Sequence, residues 1–392
     1  MRYDFDQPVN RENTLSLKWD VKPGVLPMWV ADMDFRCAPA IEKAIRERTD
    51  NGVFGYTVIG DEWYDAYISW WKRRHGFEIK KDWLMFVTGV VPAISSAVRK
   101  FTTPNENVVI QTPVYNIFFN SIINNGARVL ENPLKFDGEK YEMDFEDLEK
   151  KFSDPQTTLM ILCNPHNPVG KIWNREELRE VGRLAEKYNV TVISDEIHCD
   201  LCDPGFEYVP FASVDETCRS VSITCIAPTK AFNLAGIQTA AIYSANENLR
   251  HKINRAINTD EVAEPNVFAA IIPQAAFNQS EDWLDELRQY LFDNKQFVRQ
   301  FIKENIPEIK VIDSNATYLL WLDCSAVCKD ATVLKDYLAE KAGLLLSEGE
   351  EYGQCGKSFL RLNTATCRSR IEMGLNLLKK GIIQFRQEEM QQ

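Results

Sequence analysis

Val190-Thr191-Val192-Ile193-Ser194 is a short, mostly apolar run, and Asp195-Glu196-Ile197-His198 follows it without a break. A run with no polar face reads as a strand buried on both sides, the kind found in a parallel sheet covered by helices. The helical pattern Arg175–Tyr188 lies just before it. Upstream, Val108-Val109-Ile110-Gln111 and Leu159-Met160-Ile161-Leu162-Cys163 repeat the signal. Downstream, Ser220-Val221-Ser222-Ile223-Thr224 and Ala240-Ala241-Ile242-Tyr243-Ser244 do the same. Strands alternating with helices predict an α/β architecture with a mostly parallel central sheet.

Beyond residue 280 the pattern changes. Trp283, Leu284, Leu287, Leu291, Val298 and Ile302 recur at helical spacing and read as one long amphipathic helix. A strand over Tyr318–Leu322 and a helix over Ala331–Lys341 come next. The expected organisation is a large α/β domain over residues 46–280 and a smaller α+β domain over residues 281–392. Residues 1–45 are expected to pack near the smaller domain.

Bulk properties narrow the function. Of the 392 residues, 45% are hydrophobic and 26% charged, ordinary for a globular chain with a sizeable core. The formal net charge of −12 argues against nucleic acid or an anionic membrane as a partner. The polar start MRYDFDQPVNREN carries no secretory pattern, and no run approaches the roughly 20 apolar residues of a membrane span. The cytoplasm is therefore the expected location. Ten cysteines in such a chain are expected to stay reduced. Cys199-Asp200-Leu201-Cys202 is a CxxC beside His198, but no second CxxC completes a zinc set and the chain has only four His. Inert thiols are the preferred reading, and no metal site is expected.

Ligands of open α/β sheets sit outside the carboxyl ends of the strands, so the loops there are the places to look. Thr88-Gly89-Val90-Val91-Pro92 opens a helix read as Ala93–Lys100, and free amides at a helix start favour a phosphate. A plain loop-to-helix junction is the competing reading. Asn164-Pro165-His166-Asn167-Pro168-Val169-Gly170 has two prolines that forbid helix and central strand, so the loop is rigid and one X–Pro bond is a candidate for cis. It holds Asn164 and Asn167 in place; a structural turn is the alternative. Asp195 ends an apolar strand, where a carboxylate needs a partner such as a heterocyclic N–H⁺, unless it caps a helix. Lys230, in Ala227-Pro228-Thr229-Lys230-Ala231-Phe232-Asn233-Leu234-Ala235-Gly236, lies between apolar segments. Such surroundings lower a lysine's pKa and make it a Schiff-base nucleophile.

The order of these loops carries more than any one of them. With Trp29-Val30-Ala31-Asp32-Met33-Asp34-Phe35, Phe54-Gly55-Tyr56-Thr57, Thr112-Pro113-Val114-Tyr115 and Phe359-Leu360-Arg361-Leu362-Asn363, the chain resembles the fold-type-I, class I/II aminotransferases over essentially its whole length. Within them it is most similar to the MalY/PatB-type cystathionine β-lyase (C–S lyase) branch. The resemblance implies pyridoxal 5′-phosphate (PLP) as cofactor. It implies that Lys230 bonds the cofactor and takes the Cα proton. Asp195 would keep the ring nitrogen protonated, and Tyr115 would stack on the ring. These three form the candidate catalytic set. Gly89, Val90 and Val91 would offer amides to the phosphate, with Thr229 adding a hydroxyl. Asn167 would donate to the phenolic oxygen, near which His198 replaces a tyrosine of many relatives. Arg361 would clamp the substrate α-carboxylate, and Val30 and Ala31 would line the substrate wall beside Asn167. Tyr56 would reach into the neighbouring subunit's site, which implies a homodimer with shared active sites. Ala227 and Gln238 stand where many aminotransferases carry a phosphate-binding serine and arginine, so the resemblance implies that phosphate binding leans on amides, hydroxyls and Tyr56.

The implied activity is β-elimination from cystathionine, cysteine or related S-substituted cysteines, giving a thiol, pyruvate and ammonia. The same catalytic set also serves an aminotransferase with a 2-oxo acid acceptor, so that alternative stays open. A regulatory protein-binding module is the remaining reading.

Overall fold

Each apolar run becomes a strand that sorts its side chains to two faces by its two-residue period. The computed structural model describes residues 2–390. The central sheet consists of β1 (Leu84–Val87), β2 (Asn107–Ile110), β3 (Arg128–Glu131), β4 (Thr157–Cys163), β5 (Thr191–Asp195), β6 (Ser222–Ile226) and β7 (Ala240–Tyr243). Their spatial order is β1-β7-β6-β5-β4-β2-β3. β7 runs antiparallel to β1 and β6, and the other pairings are parallel. On one face Leu159, Ile161, Ile193 and Ile223 meet Val90, Ile94 and Ala97 of helix α1 (Val90–Phe101). On the other, Met160, Leu162 and Val192 meet Leu178, Val181 and Leu184 of helix α2 (Arg175–Tyr188). Both faces of the sheet are therefore buried, as the apolar runs require.

The boundaries differ where local chemistry outweighs hydrophobicity. Ser220 and Val221 belong to the helix Glu216–Val221, which Asp215 caps by accepting from the Cys218 amide, so β6 starts at Ser222. The helix expected from Ala93 starts three residues earlier, at Val90. The helix read over Ala331–Lys341 is α-helical to Tyr337 and then widens into a π-helical turn over Leu338–Ala342.

A second sheet holds β8 (Lys310–Val311), β9 (Leu319–Asp323), β10 (Ser347–Glu348) and β11 (Phe359–Asn363). Its order is β8-β9-β11-β10, all antiparallel. Helices α3 (Glu281–Asn305) and α4 (Arg368–Glu389) cover it, with Val298, Ile302, Ile371 and Leu375 against Leu320, Leu322 and Leu360. The N-terminal chain runs along this second sheet. Leu26–Pro27 pairs in parallel with Leu344–Leu345, and the Met28 carbonyl accepts from the Asn363 amide at 2.9 Å. This brings Trp29, Val30 and Ala31 to the gap between the two sheets. All ten cysteines are free. Among the described residues, no helix is long and apolar enough to cross a membrane.

Candidate active site

A cavity of about 470 Å³ lies outside the carboxyl ends of β4, β5 and β6, closed on its far side by β10, β11 and the Trp29–Ala31 segment. Asp195, the last residue of β5, enters it from the sheet. The strand buries the carboxyl group, and the Ile197 amide donates to its Oδ1 at 3.1 Å. Burial pushes its pKa up to about 7, with too little help from Lys230 to offset the loss of water. A carboxylate so placed favours a cationic N–H partner in the cavity.

Lys230 follows β6 in a tight turn and faces Asp195 across the cavity. Its Nζ donates to the Ala31 carbonyl at 2.6 Å. Burial, reinforced by the positive charge of Arg361, lowers its pKa to about 8. The amine is thus part neutral near physiological pH, as a carbonyl-attacking nucleophile must be. Three residues on, Asn233 donates to the carbonyls of Met33 and Phe35 at 3.0 and 2.9 Å. From β11, Asn363 donates to the carbonyls of Val30 and Asp32 at 2.6 and 2.7 Å. The Trp29–Phe35 segment is thereby bolted to both the lysine loop and the arginine strand.

Arg361 sits in the middle of β11 and is only 4% exposed. Its guanidinium donates to the Trp29 carbonyl at 2.9 Å, to Asn167 Oδ1 at 3.3 Å and to Ser347 Oγ at 3.4 Å. It lies 4.9 Å from the centre of the Tyr352 ring, and its Nε has no partner. None of these acceptors is a carboxylate. A buried cation with no carboxylate at ion-pair distance is expensive, so this geometry calls for an anionic ligand. Because Asn167 spends its oxygen on Arg361, its Nδ2 remains to donate into the cavity.

The opposite end of the cavity is formed by Gly89 and the first turn of α1. No side chain caps that turn, so its leading amides are unclaimed by side chains. A Cβ on Gly89 would come within 3.2 Å of Pro92 Cδ. Val90, Val91, Thr229 and Gln238 line the same end. Tyr115 forms one wall, its ring edge-on to Phe118 at 5.7 Å. His198 lines the cavity with Nδ1 unpartnered, and burial lowers its pKa to about 3, so the imidazole is neutral. In the Asn loop both Asn164-Pro165 and Asn167-Pro168 are cis, where one was expected.

Two expectations fall outside this cavity. Tyr56 is fully exposed on the irregular segment before helix Asp61–His75 and lines no part of its own chain's cavity. Cys199 and Cys202 are buried thiols whose pKa values are pushed up by burial, Cys202 to about 12, so neither is a ready thiolate. Beside them Asp200 accepts from Trp70 Nε1 at 3.0 Å and pairs with His75 at 3.0 Å. A larger open cleft of about 1010 Å³ borders this cluster, but its charges neutralise one another, as in Arg73–Glu281 and Arg74–Asp285. Sequence reading overlooked Ser347, Glu351 and Tyr352, which the second sheet delivers to the cavity, and Tyr318, whose hydroxyl donates to the Ala31 carbonyl at 3.0 Å. Only their proximity to the Arg361 motif could have marked them.

The family model described as "Aminotransferase class I and II" matches residues 25–375. The chain belongs to the class I and II aminotransferase family. Within this family it is 41% identical over 386 residues to cystathionine beta-lyase PatB of Bacillus subtilis, covering 97% of this chain and 100% of PatB. It superposes on PLP-containing cystalysin from Treponema denticola with a TM-score of 0.94 at 34% identity, over 98% of this chain and 100% of that one. The PLP-bound C–S lyase from Staphylococcus hominis, complexed with L-cycloserine, gives a TM-score of 0.92 at 32% identity, over 97% and 99% of the two chains.

Proposed function

We propose that this aminotransferase-family protein is a PLP-dependent carbon–sulfur β-lyase acting on cystathionine, cysteine or related S-substituted cysteines. The observation that carries the reading is the convergence of a pKa-lowered amine, a buried carboxyl group and an unpaired guanidinium on one cavity. The activities named for PatB and for the Staphylococcus hominis C–S lyase favour the lyase outcome.

The residues present fit PLP. Asp195 lacks a cationic partner and is destabilised as an anion, which a protonated ring nitrogen would relieve. The uncapped start of α1 with Gly89, Val90 and Val91 suits a phosphate, with Thr229 beside it. Tyr115 offers a ring face, and Asn167 Nδ2 a donor for the phenolic oxygen. When bound, PLP supplies an electron sink for the pair left at Cα.

Arg361 holds the substrate α-carboxylate by its guanidinium fork. With the carboxylate held there, Lys230, which would anchor the cofactor, is the amine in the cavity that would take the proton at Cα. Asp195 would hold a proton on the ring nitrogen. The Trp29–Ala31 wall excludes water from the reacting carbons. The Cβ–S bond then breaks with its electron pair leaving on sulfur, and one water is consumed overall to give thiol, pyruvate and ammonia.

We also infer a homodimer in which Tyr56 serves the partner's site. Val53, Phe54, Tyr56 and Val58 are exposed apolar or aromatic side chains on one irregular segment, as an unpartnered contact surface would be. A monomer by sedimentation at micromolar concentration would rule this out.

The test of the activity is incubation with L-cystathionine and, separately, with an amino acid plus 2-oxoglutarate. Pyruvate and thiol without glutamate are expected. Glutamate without pyruvate would make the protein an aminotransferase instead.

A further inference from the structure

Among the described residues, the charged side chains lining the cavity are Asp195, Lys230, Arg361 and Glu351. The first three have tasks at the cofactor and at the substrate's α-carbon end. Glu351 has none. It belongs to the single turn Glu350–Tyr352 that follows β10, beside the aromatic ring on which Arg361 rests. Asn116 Nδ2 donates to its Oε2 at 2.9 Å. Arg361 and Tyr115 both feel its charge, so its carboxyl group stands at the wall between them. Yet Glu351 is exposed, whereas Asp195 and Arg361 are buried. It therefore marks the mouth of the cavity, and Asn116 holds it there.

A substrate gripped by Arg361 at its α-carboxylate, with Cα facing Lys230, must send its sulfur substituent out past that mouth. In cysteine and simple S-alkyl cysteines the substituent is uncharged. In cystathionine it ends in a second amino-acid group that carries both an ammonium and a carboxylate. A carboxylate at the mouth favours a cation and disfavours an anion beside it, so it would draw the ammonium of such an arm toward itself and turn the distal carboxylate away. Although the residue is exposed, partial loss of water around its carboxyl group raises the pKa, a shift that Arg361 opposes and a cationic ligand would oppose further.

We propose that Glu351 is a specificity-determining residue that recognises a positively charged group, such as the distal ammonium of cystathionine, on the sulfur substituent of the substrate. The inference rests on the lyase reading above.

The test compares S-(2-aminoethyl)-L-cysteine with S-propyl-L-cysteine, which differ at the end of the substituent by an ammonium against a methyl group. Pyruvate release gives kcat/KM for each. The wild-type enzyme is expected to prefer the aminoethyl compound by about tenfold, the size of one charge-assisted hydrogen bond. Glu351→Gln should erase that preference, and Glu351→Lys should shift it toward S-(2-carboxyethyl)-L-cysteine. Equal efficiencies in the wild type, or a preference that persists in Glu351→Gln, overturn the assignment. The wild-type ratio decides even if a variant fails to fold. Pyruvate from S-propyl-L-cysteine tests the lyase reading by itself. If it forms without any ammonium preference, only the role of Glu351 is lost. If neither compound yields pyruvate, the lyase reading fails and this inference goes with it.

Discussion

Arg361 and Lys295 are both buried cations, and the structure predicts opposite consequences of removing them. Lys295 is paired with buried Asp203 at 2.8 Å. Lys295→Met strands that carboxylate and should destabilise the protein by about 3–5 kcal/mol. Arg361 makes no ion pair and donates only to neutral acceptors, so Arg361→Met strands no buried anion, and only the exposed Glu351 carboxylate loses a favourable charge nearby. Its effect should fall on the substrate. Each charge-assisted hydrogen bond to the α-carboxylate is worth roughly 1.5–3 kcal/mol. Arg361→Lys keeps the charge but loses the fork, so kcat/KM should drop about ten- to a hundredfold. Arg361→Met loses both bonds, and the drop should reach roughly a hundred- to ten-thousandfold. The assay is pyruvate release coupled to lactate dehydrogenase, with PLP content read from its visible absorbance and stability from urea denaturation. An Arg361→Met protein that keeps wild-type kcat/KM, or that is destabilised as much as Lys295→Met, would refute the argument that this guanidinium waits for an anion.

Asp195→Asn removes the group that holds the ring proton, and kcat should fall by about a hundred- to a thousandfold. In the PLP-free protein the same substitution should stabilise the fold. The folded carboxyl titrates at about 7 instead of its usual 3.8, so the native state is penalised increasingly as pH rises through that interval and fully above it. The PLP-free Asn variant should therefore melt higher than the PLP-free wild type at pH 8, and the gap should close below about pH 4; equal melting at pH 8 would count against a desolvated Asp195. Lys230, lowered to about 8, must be neutral to bond PLP, so the rate of PLP uptake by the PLP-free protein should climb about tenfold per pH unit up to pH 8 and then level off. A rate still climbing at pH 10 would mean that the amine is solvated. Lys230→Ala should lose the absorption band that borohydride removes, and survival of that band would place the anchor elsewhere.

Much of this protein was legible in its sequence because the relevant signals are local. Val192 and Ile193 declare a doubly covered strand whatever lies around them, and Arg175–Tyr188 carries its own capping box at Asn174 and Glu177. Asp195 and Lys230 stand out since a charged residue at, or a few positions beyond, the end of an apolar strand has few structural uses. The direction of β7 was not legible, because an apolar run is the same read either way. Nor was the start of β6, where the Asp215 cap extends a helix into the run.

The sequence alone thus determined the sheet, the loops at its carboxyl ends and the identity of the amine, carboxylate and guanidinium. Their shared cavity was the work of the tertiary structure. Arg361 lies 131 positions after Lys230 and reaches it only because β11 packs across the gap from β5 and β6. Glu351 and Tyr352 joined the site by the same route. A burial pattern records how deep a residue sits, but not which distant strand it faces, and it is the facing strand that turns separate charges into one site.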